Sequence, residues 1–101
     1  MIDWNDPPYM TMCEHAKTTY RAGPGISWVV QEHGVSVLDE IARTATLLDG
    51  AEAAVWELLL RGHDCHRAAA MLQVIAGSPA KDAAAIVERC LQQWQTKGWV
   101  Q

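Results

Sequence analysis

Residues 44–62 read TATLLDGAEAAVWELLLRG, and the reading of this stretch decides the fold. Thr44, Thr46 and Leu48 fall on one side of an extended chain, Ala45 and Leu47 on the other, which is the period of a β-strand. Asp49 then occupies a helix N-cap position, with Glu52 three residues on. That pairing predicts a capping box, in which each side chain satisfies an amide the helix leaves open. Val55, Trp56, Leu58, Leu59 and Leu60 give the following helix a wide apolar surface, broken by Glu52, Glu57 and Arg61. Gly62 ends it, since glycine takes the left-handed C′ conformation cheaply. The strand entering this helix is expected to have a free edge, and that edge to be the working part of the molecule.

The composition sets bounds on what such an edge can serve. The chain has 101 residues, half of them hydrophobic and 20% charged, which suits one globular domain. Five Trp and no Phe point to a small core built around a few indoles. The net charge of −4 argues against a phosphate-backbone partner, which needs clustered Lys and Arg. No apolar run approaches the ~20 residues of a membrane span. The start, MIDWNDPPY, lacks the basic and apolar regions of a secretory signal. Cys13, Cys65 and Cys90 form no disulfide framework, so reduced thiols in a cytoplasm are expected.

Outward from residues 44–62, the chain reads βββααα. Residues 26–32 and 35–39 have strand character, with a turn signal at His33-Gly34 and a second turn over residues 40–43. Three short strands joined by tight turns make an antiparallel meander. After Gly62, Asp64 caps a second helix in which Ala68, Ala69, Leu72, Ile75 and Ala76 recur at helical spacing, and Gly77 stops it. Ser78-Pro79 opens a third helix, Ser as cap and Pro at the first position. Its buried stripe is Ala83, Val87, Cys90 or Leu91, and Trp94. Gly98 ends it, and Trp99-Val100 is free to return to the sheet as a short strand. Residues 1–25 stand apart, punctuated by Asp6-Pro7-Pro8 and Gly23-Pro24-Gly25, and read as a flexible or loosely docked arm on a domain spanning 26–101.

With these residues in view, the chain resembles the PqqD-like family, the peptide chaperones also called RiPP recognition elements. The resemblance covers residues 26–100. It rests on Leu48-Asp49 where the family shows Leu-Asn, on the helix segment AAVWELL at 53–59, and on Asp64 in place of a Ser or Thr cap. A last helix ending Cys90-Leu91 and then Gly98-Trp99-Val100 completes it, where the family has Gly-Leu-Val. One departure is Arg43, at a hairpin position where the family carries Gly: either the turn differs, or Arg43 takes a strained positive φ at ~1 kcal/mol or more.

The resemblance implies an α+β, winged helix-turn-helix-like fold that does not read DNA. It also implies a non-catalytic role: binding the leader of a ribosomally made precursor peptide and presenting it to a modifying enzyme such as a radical SAM maturase. The leader is expected as an added strand beside the third strand, in a groove walled by the third helix. An edge strand offers unpaired amides and carbonyls at the required spacing, and pockets beside it give selectivity. Thr44, Ala45, Thr46 and Leu47 form the candidate edge, and removal of the Thr46 amide is expected to weaken binding. Ile86, Arg89 and Gln93 lie about one turn apart on the third helix and are the candidate wall, Ile86 as an apolar contact and Arg89 as partner of a leader carboxylate. Such grooves bind in the micromolar range, on the order of −8 kcal/mol.

Each of these residues also has a plainer reading. The edge is sealed by the arm or by a second copy of the chain; Arg89 pairs with Glu88 or Asp82; Ile86 is core. His63-Asp64-Cys65-His66, with Cys13 and His15, has ligand types suited to Zn²⁺ but poor spacing. Asp64 is better used as a cap and Cys65 as a buried thiol, so no metal or cofactor is expected. No catalytic constellation stands out. Two other functions compete: DNA binding through the second and third helices, which the interspersed Asp82 and Glu88 disfavour, and a structural role as a dimerising or docking subunit.

Overall fold

Antiparallel pairing runs unbroken through a three-stranded meander in the computed structural model, which describes residues 18–101. Strands β1 (Ile26–Gln31), β2 (Gly34–Asp39) and β3 (Thr44–Leu48) stand in the order β1-β2-β3. Helices α1 (Gly50–Leu60), α2 (Cys65–Ala76) and α3 (Ala80–Thr96) follow, giving the βββααα order expected. Val35 and Val37 of β2 and Leu48 of β3 line the inner face of the sheet. α1 lies against them and is buried through Ala53, Val55, Trp56, Leu58 and Leu59, which is why its apolar residues occupy more than one stripe. α2 and α3 pack on each other and on α1, closing the core with Leu72, Val87 and Trp94. Each fully buried Val or Leu adds about 1.5–3 kcal/mol.

Trp56 is the centre of this core. Trp28, Trp94 and Trp99 meet its ring edge to face, at centroid separations of 5.8, 5.1 and 6.2 Å. Such T-shaped contacts add about 0.5–1.5 kcal/mol each beyond area burial. The Trp56 indole N–H is fully buried and has no hydrogen-bond acceptor among the described residues.

Local chemistry departs from expectation at several junctions. Gln31 lies opposite Gly34, so the β1–β2 turn is centred on Glu32-His33, one residue before the expected pair. Gly34 serves the pairing instead: a Cβ there would collide with the Leu48 carbonyl oxygen. Asp49 is the N-cap of α1, but its side chain makes no cap bond. Gly50 opens the helix in the left-handed region at φ 54°, and only the Asp49 carbonyl engages, accepting from Ala53 N–H at 3.3 Å. Pro79 rather than Ser78 takes the N-cap of α3, its extended backbone offering the carbonyl to Ala83 N–H at 3.0 Å.

The Asp64 cap of α2 is as expected, accepting from Arg67 N–H at 2.8 Å, and Gly77 ends that helix in the left-handed region. Gly62 and Gly98 close α1 and α3 with Schellman pairs, His63 to Leu58 and Trp99 to Trp94. Trp99-Val100 does not join the meander. Val100 bridges Ala22 in an isolated antiparallel pair, with Arg21 and Gln101 exchanging two main-chain bonds of 3.0 and 2.9 Å. Of the arm expected at 1–25, residues 1–17 lie outside the described residues.

Candidate functional site

The hydrogen-bond parity of the sheet determines what β3 offers a guest. Glu40 N–H donates to Gly25 C=O at 2.9 Å, so the even residues of β2 turn their main-chain groups toward β1. Antiparallel strands alternate, so Val35, Val37 and Asp39 turn theirs toward β3, where they meet Leu48, Thr46 and Thr44. The main-chain groups of Ala45 and Leu47 therefore point away from the sheet. β3 has no second neighbour among the described strands, and these N–H and C=O groups are its open edge.

The side chains divide the other way. Thr44, Thr46 and Leu48 share the face of Val35 and Val37, turned toward the helices; Ala45 and Leu47 share the outer face with Ser36 and Leu38. Thr46 is half-buried and Leu48 buried, whereas Thr44, Ala45 and Leu47 are exposed. The β2–β3 turn that holds this edge is fixed by buried Asp39, whose carboxylate accepts from the amides of Ile41 at 3.1 Å and Ala42 at 3.0 Å. Arg43 closes the turn at φ 57°, so the second of the two expected alternatives is the one adopted.

On α3, Ile86 is half-buried and packs on the core cluster, so it is partly the core residue of its plainer reading. Arg89 and Gln93 are exposed. Among the described residues the Arg89 guanidinium makes no ion pair, and Glu88 instead accepts from Gln92 Nε2 at 3.2 Å. No hydrogen bond or ion pair joins the β3 residues to Ile86, Arg89 or Gln93 among the described residues. The sequence pattern marks the four edge residues together and does not separate Ala45 and Leu47, whose backbones face outward, from Thr44 and Thr46, whose backbones are already engaged.

Cys90 is buried, and burial pushes its thiol up to about 11, with Glu52 adding to the shift and Arg89 opposing it. It is a protonated core group rather than a nucleophile. Cys65 is likewise buried. Among the described residues no three His, Cys, Asp or Glu side chains are placed to hold a metal ion, and Cys13 and His15 lie outside them. No described helix is long and apolar enough to cross a membrane.

No protein-family model matches the chain, and no curated protein matches it in sequence. Solved structures do match. Lasso peptide synthetase B1 complexed with the leader peptide superposes with a TM-score of 0.75 at 21% identity, over 83% of this chain and 99% of that one. TbiB1 in complex with the TbiA(beta) leader peptide gives 0.74 at 14% identity, over 80% and 94%. The likeness at these identities is one of fold. It is the fold of these two leader-peptide-bound proteins, in keeping with the architecture that the PqqD-like resemblance implies.

Proposed function

We propose that the protein is a non-catalytic recognition domain that takes the leader of a ribosomally made precursor peptide as a fourth strand on β3 and presents it to a modifying enzyme. The observation that carries this reading is the β3 edge, open among the described residues, with the main-chain groups of Ala45 and Leu47 unengaged there and no charge on the strand. Its weight is increased by the two structures of the same fold, each of which is a complex with a leader peptide. Backbone pairing supplies affinity, and side chains beside the edge supply selectivity. Thr44 and Thr46 would flank guest residues on the helix side. Ile86 would offer them an apolar surface, and Gln93 a hydrogen-bonding one. The exposed guanidinium of Arg89, which makes no ion pair among the described residues, would hold a guest carboxylate. The enzyme served is a maturase of lasso type, a choice supported by the one fold neighbour named as a lasso peptide synthetase, with a radical SAM maturase as the other candidate. The place of action is the cytoplasm, where precursors are made.

The test is an NMR titration with synthetic N-terminal segments of the short reading frames that neighbour the gene. Expected are shifts at residues 44–48 and on the Ile86-Arg89-Gln93 face, with slowed exchange at the Ala45 and Leu47 amides. Shifts confined to the turn between α2 and α3 would remove the basis of the reading.

A further inference from the structure

Among the described residues the sheet has a second open margin, on β1, and it exposes more apolar surface than β3. β1 reads ISWVVQ: six residues with no charge and no proline, and its pairing with β2 runs without a bulge. Proteins blunt exposed edges with such devices, and here none is present within the strand. The strand is also apolar and open: Trp28 is 36% exposed, Val29 52% and Val30 56%. On β3 only Leu47 among the large apolar residues is comparably exposed.

We propose that the β1 edge is a homodimer interface, on which two copies pair β1 to β1 antiparallel with Val29 opposite its own counterpart. Hydrogen-bond parity sets the register. Gly25, Ser27, Val29 and Gln31 face β2, so Ile26, Trp28 and Val30 turn their main chains outward. Ile26 N–H is already used, donating to Gly23 C=O at 3.2 Å. Among the described residues Trp28 and Val30 keep both groups, and placing Val29 on the two-fold axis sets each Trp28 opposite Val30 of the second copy. Both residues lie on the inner-face side, and an aromatic residue opposite a β-branched one is a favourable cross-strand pair. Trp28 is already held edge to face against Trp56 at 5.8 Å, so it presents a fixed surface. No like charges meet: each Glu32 falls opposite Ile26, and the two Glu32 side chains are roughly 20 Å apart along the strands.

The pairing joins two meanders into one sheet with a β3 at each outer end. It is independent of the leader-binding reading, because it uses the opposite margin. A six-residue edge pair lies at the small end of interface sizes, so the dimer is a concentration-dependent one.

The experiment is sedimentation of the full chain from about 5 to 500 µM, with amide exchange measured at both ends of the range. Association is expected, with protection gained at the Trp28 and Val30 amides. Val29→Lys puts two ammonium groups face to face and is expected to weaken association at least about tenfold, as is Val29→Glu; an equimolar mixture of the two is expected to restore it. The half-exposed position lets both variants fold, which a thermal melt checks. A wild-type chain that stays monomeric throughout overturns the proposal. So does a Val29→Lys chain that associates like wild type, a mixture no tighter than either variant alone, or protection gained at Ala45 and Leu47 instead. The exchange arm on the wild type decides the question even if a variant unfolds.

Discussion

Thr46 lies directly opposite Val37, and the two face each other through their main chains. The Thr46 amide thus belongs to the β2–β3 ladder and is not on offer at the open edge, contrary to the expectation from sequence. Leu47→Pro removes an outward amide and leaves the ladder whole, so guest affinity should fall about tenfold with little change in melting temperature. Thr46→Pro should destabilise the fold itself by on the order of 2 kcal/mol, by leaving a buried carbonyl without its donor. Calorimetric binding and thermal melts of both variants separate the two effects. Equal losses of affinity at unchanged stability would contradict the parity of the strand.

Arg43 sits in the left-handed region at φ 57° in a turn where glycine is better suited. Arg43→Gly should stabilise the domain by about 0.5–1 kcal/mol, the relief of backbone strain exceeding the added entropy of the unfolded chain. That corresponds to a melting temperature higher by a few degrees, about 2–8 °C.

Gly34 faces the opposite constraint. A methyl group there meets the Leu48 carbonyl oxygen, a main-chain atom that cannot swing aside. Gly34→Ala should cost about 2–3 kcal/mol and lower the melting temperature by about 10 °C or more, and it should loosen the β3 amides in hydrogen exchange.

Cys90 should resist alkylation in the native state at pH 8 and react only after unfolding, because its thiol is pushed up to about 11 by burial and by Glu52. The unfolded thiol ionises near 9.0 and the folded one near 11, so the native state holds more protons between these values. Stability is intact below about pH 9 and declines as pH rises toward 11. Chemical denaturation midpoints at pH 8 and pH 10.5 measure it, and Cys90→Ala, although it costs core packing, should flatten the slope.

Much of this architecture is legible in the sequence because it is written in side-chain pattern. Period-two alternation over residues 44–48, the Asp64 cap and the glycine stops at 62, 77 and 98 each name their local structure. What escapes is decided by backbone geometry that residue type does not encode. Asp49 has the chemistry of a capping side chain, yet only its main-chain carbonyl engages the helix that left-handed Gly50 opens. Trp99-Val100 has strand character, yet its partner is Ala22, a residue without a strand signature. Which amides of β3 point outward depends on pairing parity across two turns, and the first of those turns lies one residue away from its sequence signal.

The paired bonds between Arg21 and Gln101, backed by Gly23 N–H to Trp99 C=O at 2.9 Å, bring the entering and leaving chain to one point. Dyes attached just outside this clasp would sit within energy-transfer range of each other. Force applied through those two attachment points would load the clasp in series before reaching the indole core. A pulling experiment should therefore record a small early release, followed by the main rupture of the domain.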